Sequence, residues 1–485
     1  MHSRPAAASD RVRWQAFAAC VAVAALTILD LSKVNVGLPS IESSLGGGPT
    51  ELQLIVAGYA LAFGLALVPA GRLGDIHSRK LFFAIGLSAF IAASIMCAIA
   101  PSVTILVVGR MLQGVAAGIH MPQVIGIIQQ VFQGRERGMA FGLFGAIIGL
   151  STAFGPTIGG LLIAIGGDTD GWRLLFWMNV PLGALALAFA LWRLPGRGNG
   201  EREHTELDIV GILLLGVAVF SLMLPFVLTT GGADDDPQRW WWLVLFVIAA
   251  AAFVLWERSF QGRGKAPVVN FGLFRLAAYR NGVLIATAYF AATPAMFLIT
   301  TLFLQTGLGL EAVYAGMVSI PFALVSAYTS WLGGKLVLGV GRKLVLYGLV
   351  LVFIGLGSAI PVALLAPPEL VPWLIAGVLA IAGAGGGFVI SPNQTLTLAD
   401  VPVVHGGVAG SVAQVGQRVG TAVGVAAASS AFFATVYREE PTEGVLTAFT
   451  DAYAFGMLVA LGLVLVAIVF AVIDVRPGSS SSAAR

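Results

Sequence analysis

Four ionisable side chains lie in stretches that are otherwise apolar: Asp30 and Lys33 in AALTILDLSKVNVGLP, Arg110 in GRMLQGVAAG and Arg418 in QVGQRVGTAVG. In a helix, residues three apart share a face, so Lys33 can pair with Asp30. A carboxylate beside cations can take up and release a proton, whereas a guanidinium keeps its proton at any working pH. Asp30 is therefore the candidate proton site, and Arg110 a group that would stabilise its ionised form. The plainer alternative is a neutralised pair that lowers the cost of putting charge into lipid. Asp30 leads because Glu51, Asp208, Asp400, Asp451 and Asp474 all fall near the ends of apolar runs. Asn35, Gln113 and His120 are polar neighbours in the same runs, and His120 fits either a hydrogen-bonded helix contact or a proton or substrate role. One acid against three bases makes the expected interior positive. Neutral, zwitterionic or anionic amphiphiles are then as plausible a cargo as lipophilic cations.

Such residues need a scaffold that carries them through a bilayer. The 485 residues are 58% hydrophobic and 11% charged, with a mean hydropathy of +0.92, which places the chain among polytopic membrane proteins. A span of the ~30 Å hydrocarbon core takes about 20 apolar residues. Such runs are expected near 14–38, 51–71, 80–100, 103–131, 138–166, 172–193, 207–230, 239–257, 282–306, 313–338, 344–366, 371–399, 407–436 and 450–474. They are long and continuous, unlike the alternating strands of a β-barrel. The first run is too long and too charged for a signal peptide. Cys20 and Cys97 lie inside spans, where packing is their expected role.

Lys and Arg collect on cytoplasmic loops. Most of the 27 basic residues fall on one side, from Arg4, Arg11 and Arg13 through Arg72, Arg79, Lys80, Arg135, Arg137, Arg193, Arg197, Arg202, Lys335, Arg342 and Lys343 to Arg476 and Arg485. The other side has Arg173, Arg239 and Arg438 among acids such as Asp168, Asp170 and Asp234. Both termini should thus be cytoplasmic, which requires an even number of spans. Trp172, Trp240 to Trp242 and Trp373 are expected at the outer interface, and Trp14, Trp192, Trp256 and Trp331 at the inner one.

An internal repeat divides the chain. GRLGDIHSRK (71–80) matches GKLVLGVGRK (334–343), both expected in short cytoplasmic loops, and Pro122-Gln123 matches Pro392-Asn393. The expected organisation is a tail 1–13, a six-helix bundle 14–193, a linker 194–206, two extra helices 207–257, a linker 258–281, a second six-helix bundle 282–474 and a tail 475–485. Gly71 and Gly74 permit close backbone approach, and Asp75 can accept from helix N-terminal amides and a nearby arginine. With Arg79 and Lys80 these residues form either a conformational gate or a solvated loop that fixes topology. In the fifth run Gly149, Gly155, Gly159 and Gly160 surround Pro156, a small-residue face suited to close packing and a kink.

Together these segments resemble the major facilitator superfamily, specifically its fourteen-span drug:proton antiporter branch, over almost the whole chain. GRLGDIHSRK resembles the family's first-loop signature, departing at Ile76 and Ser78. GRMLQGVAAG carries the span-four pattern through Arg110, Gln113 and Gly114, and GLSTAFGPTIGG resembles the span-five antiporter motif. LDLSKVNVGLP keeps Asp30, Asn35, Val36 and Pro39 of the first-span signature, with Lys33 where that signature is apolar. FVISPN with Asn393, and QVGQRVGTAVG with Gln414 and Arg418, look like the branch's second half.

The resemblance implies an all-α major-facilitator fold of fourteen spans exporting drug-like or amphiphilic molecules in exchange for protons. It also implies that the span-five face seals an interface that favours exchange. The alternatives are a proton-coupled symporter, an exporter of one metabolite, antibiotic or lipid, and a membrane-embedded sensor. No nucleotide-binding loop or metalloprotease motif is present, so neither enzyme nor ATPase is expected. The expected partners are a small-molecule substrate, protons and the lipid bilayer of the cell membrane. No cofactor, metal or nucleic acid is expected, and the chain should act as a monomer.

Overall fold

The computed structural model describes residues 10–46, 49–167, 169–194, 208–229, 235–265 and 267–475. Arg4, Asp168, Arg197, Arg202, Asp234, Arg476 and Arg485, with the linker after residue 194 and the tail after residue 475, lie outside the described residues.

Apolar runs dominate the architecture, because in lipid each backbone polar group must be satisfied within its own helix. Among the described residues thirteen helices are long and apolar enough to cross a membrane, and a fourteenth span is counted when Gly134–Thr152 and Phe154–Gly166, bent by 41°, are joined. That bend has a local cause: Pro156 has no N–H to offer the carbonyl four residues earlier. In chain order the spans are α1 (Asp10–Leu45), α2 (Pro49–Ile76), α3 (Arg79–Ala98), α4 (Val103–Val131), α5 (Gly134–Gly166), α6 (Arg173–Arg193) and α7 (Ile209–Val227). They continue as α8 (Pro237–Gly262), α9 (Ala277–Gly307), α10 (Val313–Val340), α11 (Arg342–Leu365), α12 (Val371–Thr397), α13 (Val403–Glu443) and α14 (Val445–Val475).

In the first half α2 and α3 pack on α4, and α1 packs on α5. The second half pairs α9 with α13, α10 and α11 with α12, and α13 with α14. One apolar core centres on Phe63, Phe83 and Phe90 of the first half and runs on into Leu398, Ala409 and Ala413 of the second, and another around Tyr289, Leu349 and Tyr453 lies within the second half. The halves meet where α2 and α4 face α13 and where α5 faces α10 and α12, while α7 rests on α2 and α13 with α8 beside it.

The paired motifs are not loops. Gly71 to Ile76 complete α2, and a turn at His77 and Ser78 leads into α3, whose first turn Ser78 caps by accepting from the Leu81 amide. In the second copy Gly334 to Val340 complete α10, and the turn is Gly341 with φ +63°, a conformation glycine adopts without strain. The helices run on because neither segment holds a proline or a polar turn cluster before those residues.

Both described chain ends share the end of the bundle that holds these turns. Arg13 of α1 bonds Glu136 at the start of α5, and Asp474 of α14 pairs with Arg342 at the start of α11. We call it the basic end. One interface marker turns into the protein at its end of the span: Trp172, directly before α6, is fully buried in a cluster with Val34, Leu175 and Phe176, and Arg173 lies over its ring. The apolar pocket and the cation hold the indole inside, whereas Trp192, Trp241 and Trp373 are exposed.

Candidate transport site

Asp30 sits at the centre of a sealed polar network within the first half. Its Oδ2 accepts from Arg110 Nη1 at 2.7 Å, and its Oδ1 accepts from Asn179 Nδ2 at 2.6 Å. Lys33 Nζ lies 3.4 Å from the same Oδ1 and donates to Asn179 Oδ1 at 2.6 Å. Arg110 also donates to Gln113 Oε1 at 2.7 Å and to the Ile55 carbonyl at 3.0 Å, with its guanidinium 4.2 Å from the centre of the Tyr59 ring. Gln113 Nε2 donates to Ser94 Oγ at 2.8 Å. Asp30, Lys33, Arg110, Gln113 and Asn179 are all 0% exposed. Five helices contribute, α1, α2, α3, α4 and α6. One acid among two cations and several donors is a compensated arrangement, since burying these charges unpaired would be prohibitive.

His120, on α4 with Arg110, stands apart from this network: its Nε2 shares a 2.8 Å hydrogen bond with Thr27 Oγ1, and Phe83 and Phe90 meet its ring edge-on. Asn35 is exposed. Seven residues make two helical turns, so Asn35 shares the α1 face of Ile28, which lines the space between the halves.

That space is a cavity of about 80 Å³, room for a few waters at ~30 Å³ each and well below the ~300 Å³ of a drug-sized site. Ile28, Phe141 and Phe144 line it from the first half; Asn393, Gln414 and Arg418 line it from the second. Arg418 lies 4.6 Å from the centre of the Phe63 ring across the seam.

The basic end is closed by hydrogen bonds between the halves. Asp75 Oδ1 accepts from the Gly407 amide at 3.2 Å and Oδ2 from the Val408 amide at 3.0 Å, at the first turns of α13. Arg79 donates to Asp75 Oδ1 at 2.7 Å, to the Gly126 carbonyl at 2.7 Å and to the Val403 carbonyl at 2.6 Å. Gln129 and Arg137 add donors to the Leu398 and Ala399 carbonyls. Gly71 is required here, because a Cβ would stand 2.8 Å from the Gly407 carbonyl oxygen and collide with Ser411 Oγ. A Cβ on Gly74 would collide with the Gln123 amide. Lys80 does not cross the seam; it donates to the Leu194 carbonyl at 3.0 Å within the first half.

A sequence profile described as Major Facilitator Superfamily matches residues 20–425. The chain belongs to the major facilitator superfamily. This facilitator is 33% identical over 423 residues to the probable actinorhodin transporter of Streptomyces coelicolor, covering 87% of this chain and 72% of that protein. It is 31% identical to the multidrug resistance protein Stp of Mycobacterium tuberculosis over 84% of this chain and 73% of that one. The human organic anion transporter MFSD10 shares its fold with a TM-score of 0.63 at 13% identity, over 95% of this chain and all of the other. It is a multi-pass membrane transporter and not an enzyme.

In this facilitator the small residues of α5 form two faces rather than one. Gly155 and Gly159 pack on α1, where a Cβ on Gly159 would stand 3.0 Å from the Lys33 carbonyl oxygen. Gly145, Gly149, Pro156 and Gly160 turn to α10 and α12, near Ser330, Ser326, Gly316 and Val313. Helical spacing separates the two sets, since 145, 149, 156 and 160 follow one another at intervals of one or two helical turns.

Asn393 has a structural duty at the basic end besides lining the cavity: its Nδ2 donates to the Gly282 carbonyl at 2.8 Å, and its Oδ1 accepts from Arg342 at 3.3 Å. Asn179, Ser94 and Glu257 are among the buried polar residues absent from the sequence expectations. Asn179 was visible as a lone polar residue in an apolar run, and Ser94 as one of two serines, with Ser88, in another. Glu257 was a lone acid near the end of α8, fully buried, with Oε1 accepting from the Val268 amide at 3.2 Å. A Cβ on Gly211 would lie 2.5 Å from Asp208 Oδ2 and 2.7 Å from Glu257 Oε1, so the two carboxylates are close neighbours.

Proposed function

We propose that this facilitator exports drug-like, amphiphilic small molecules in exchange for protons by alternating access, with Asp30 as the proton-carrying group. The observation that carries the reading is the buried Asp30–Arg110 contact at 2.7 Å. Both Asp30 oxygens act as acceptors toward cationic or amide donors, the pattern of an ionised carboxylate. A proton arriving on Asp30 replaces one acceptor site with a donor, which breaks its fit to Arg110, Lys33 and Asn179 and frees those groups to repack. Lys33 and Asn179 join α1 to α6, and Gly159 packs on the Lys33 backbone, so repacking bears directly on α5 and the seam between the halves.

The closed basic end supports an assignment of this conformation as sealed toward the cytoplasm, with both termini cytoplasmic in the cell membrane. The bodies that rock are 14–193 and 282–474, and Gly71, Asp75 and Arg79 form the gate. Asn35, Gln113, Asn393, Gln414 and Arg418 belong to the substrate and proton pathway. The α5–α10 face carrying Gly149, Pro156 and Gly160 is the seal that favours exchange. Relatives named for actinorhodin transport and multidrug resistance support export over uptake.

The test is efflux of a panel of cationic and neutral fluorescent dyes from cells lacking their own exporters. Flux abolished both by a protonophore and by Asp30→Asn is the expected result. Protonophore-sensitive flux that survives Asp30→Asn removes the carrier role from Asp30, and flux indifferent to the protonophore removes proton exchange.

A further inference from the structure

The two walls of the central cavity differ in kind. The first half contributes apolar atoms from Ile28, Phe141 and Phe144. The second half contributes Tyr289, Ser391, Gln394, Gln414 and Arg418. On each of these five, a buried polar atom has no hydrogen-bond partner among the described residues: Tyr289 OH, Ser391 Oγ, Gln394 Nε2, Gln414 Nε2 and Arg418 Nε. The Arg418 Nε–H can do nothing but donate, and each glutamine amide offers a donor beside its oxygen. Native proteins leave few buried polar atoms unpaired, and a group of them around one cavity marks a surface built for a polar partner.

Charge points the same way. Arg418 forms no salt bridge among the described residues; its charge rests on the Phe63 ring at 4.6 Å. Among the described residues no Asp or Glu lines the cavity. Asp30 carries the central negative charge of the first half, yet it is 0% exposed and saturated by Lys33, Arg110 and Asn179. The lining thus sets one guanidinium without a salt bridge and two glutamines around the cavity, and among the described residues no carboxylate lines it to hold a cation.

We infer that the cavity selects aromatic amphiphiles that present a negative or acceptor-rich edge, such as a carboxylate, sulfonate or phenolate, and discriminates against lipophilic cations. The acceptor edge meets Arg418, Gln414 and Gln394, while the apolar body lies on Phe141 and Phe144, whose rings suit flat aromatic faces. This inference rests on the transport reading above, because it assigns the cavity to the exported molecule. The present 80 Å³ cavity must widen to admit such a cargo, as expected when the halves rock apart.

The experiment is equilibrium binding to the purified full chain in lipid nanodiscs, with no ion gradient. The probes are two matched pairs: carboxyfluorescein against rhodamine 6G, and anthraquinone-2-sulfonate against a 2-trimethylammonium anthraquinone. The anion of each pair is expected to bind at least about tenfold more tightly, the scale of one charge-assisted hydrogen bond. Arg418→Gln should remove that preference and Arg418→Lys should keep part of it. Ser391→Asp, which places a carboxylate in the wall without touching Arg418, should invert it and keeps the test decisive if the Arg418 variants fail to fold. The inference is overturned if the cations bind as well as the anions, if neither anion binds, or if the preference survives Arg418→Gln or Ser391→Asp. Because no gradient is applied, failure of Asp30 as proton carrier leaves this binding order unchanged, and failure of the binding order leaves proton-coupled efflux measurable.

Discussion

Arg342 pairs with Asp474 at 2.9 Å, an ion pair that repeats the Asp75–Arg79 contact of the first half with a carboxylate borrowed from a different helix. Arg342 occupies the repeat position of Arg79, but the position of Asp75 is taken by Leu338. Asp474, at the end of α14, supplies the missing acid and also accepts from Asn281 at 2.9 Å. The first half thus spends its carboxylate on both Arg79 and the amides of α13, across the seam, while the second half keeps its pair internal. The two ends of the repeat have the same parts and different duties: one can break when the halves separate, and the other moves with its own bundle.

Asp75→Asn should accordingly weaken closure of the basic end without unfolding either half, whereas Asp474→Asn should destabilise the second half. The check is thermal unfolding beside reactivity of a cysteine placed at Ser411. Asp75→Asn is expected to raise that reactivity several-fold with little change in midpoint. Asp474→Asn is expected to lower the midpoint by an amount corresponding to about 1–3 kcal/mol, the scale of a lost hydrogen bond to a charged group.

Gly71→Ala puts a methyl group against the Gly407 carbonyl, backbone to backbone, where no side chain can yield. Closure at the basic end should be lost and transport with it, although binding to the opened cavity persists. Gly149→Ala is the contrast, since its nearest neighbour is Ser326 Oγ at 3.9 Å, an ordinary contact. That variant should close the basic end as the parent does. Equal loss in both variants would show that steric fit at α2 and α13 does not decide closure.

Asp30→Asn leaves Lys33 and Arg110 buried without a counter-ion, and removing one member of a buried pair typically costs about 3–5 kcal/mol. A fall in stability alone is therefore no evidence for proton carriage. Asp30→Asn with Lys33→Met restores charge balance more nearly, so it should recover much of the unfolding midpoint while proton release on substrate addition stays absent. Recovery of both would demote the pair to structure.

Glu257→Gln retains an oxygen to accept from the Val268 amide, while Glu257→Leu leaves that amide unpaired. The Leu variant should lower stability by about 1–3 kcal/mol and the Gln variant by much less. Unfolding monitored by the fluorescence of Trp256, whose indole donates to Asp208 at 2.8 Å, reads this region directly.

Much of this protein was written in the order of its residues. Apolar runs gave the spans, the bias of Lys and Arg picked out one end of the bundle, and the 71–80 and 334–343 repeat gave two related halves. Asp30, Lys33 and Arg110 were legible because a charge in an apolar run is costly enough to need a reason. Their companions Asn179 and Ser94 were not, although each was a polar residue in plain view within an apolar run. The same holds for the two faces of α5 and for the pairing of Arg342 with Asp474. The physical reason is that these helices are apolar nearly all round, since lipid and protein interior accept the same side chains, so periodicity does not say which face turns inward. Length and charge are properties of one segment and can be counted along the chain. The rotation of fourteen helices about their axes is settled only by packing against one another, and that rotation decided which buried polar groups meet.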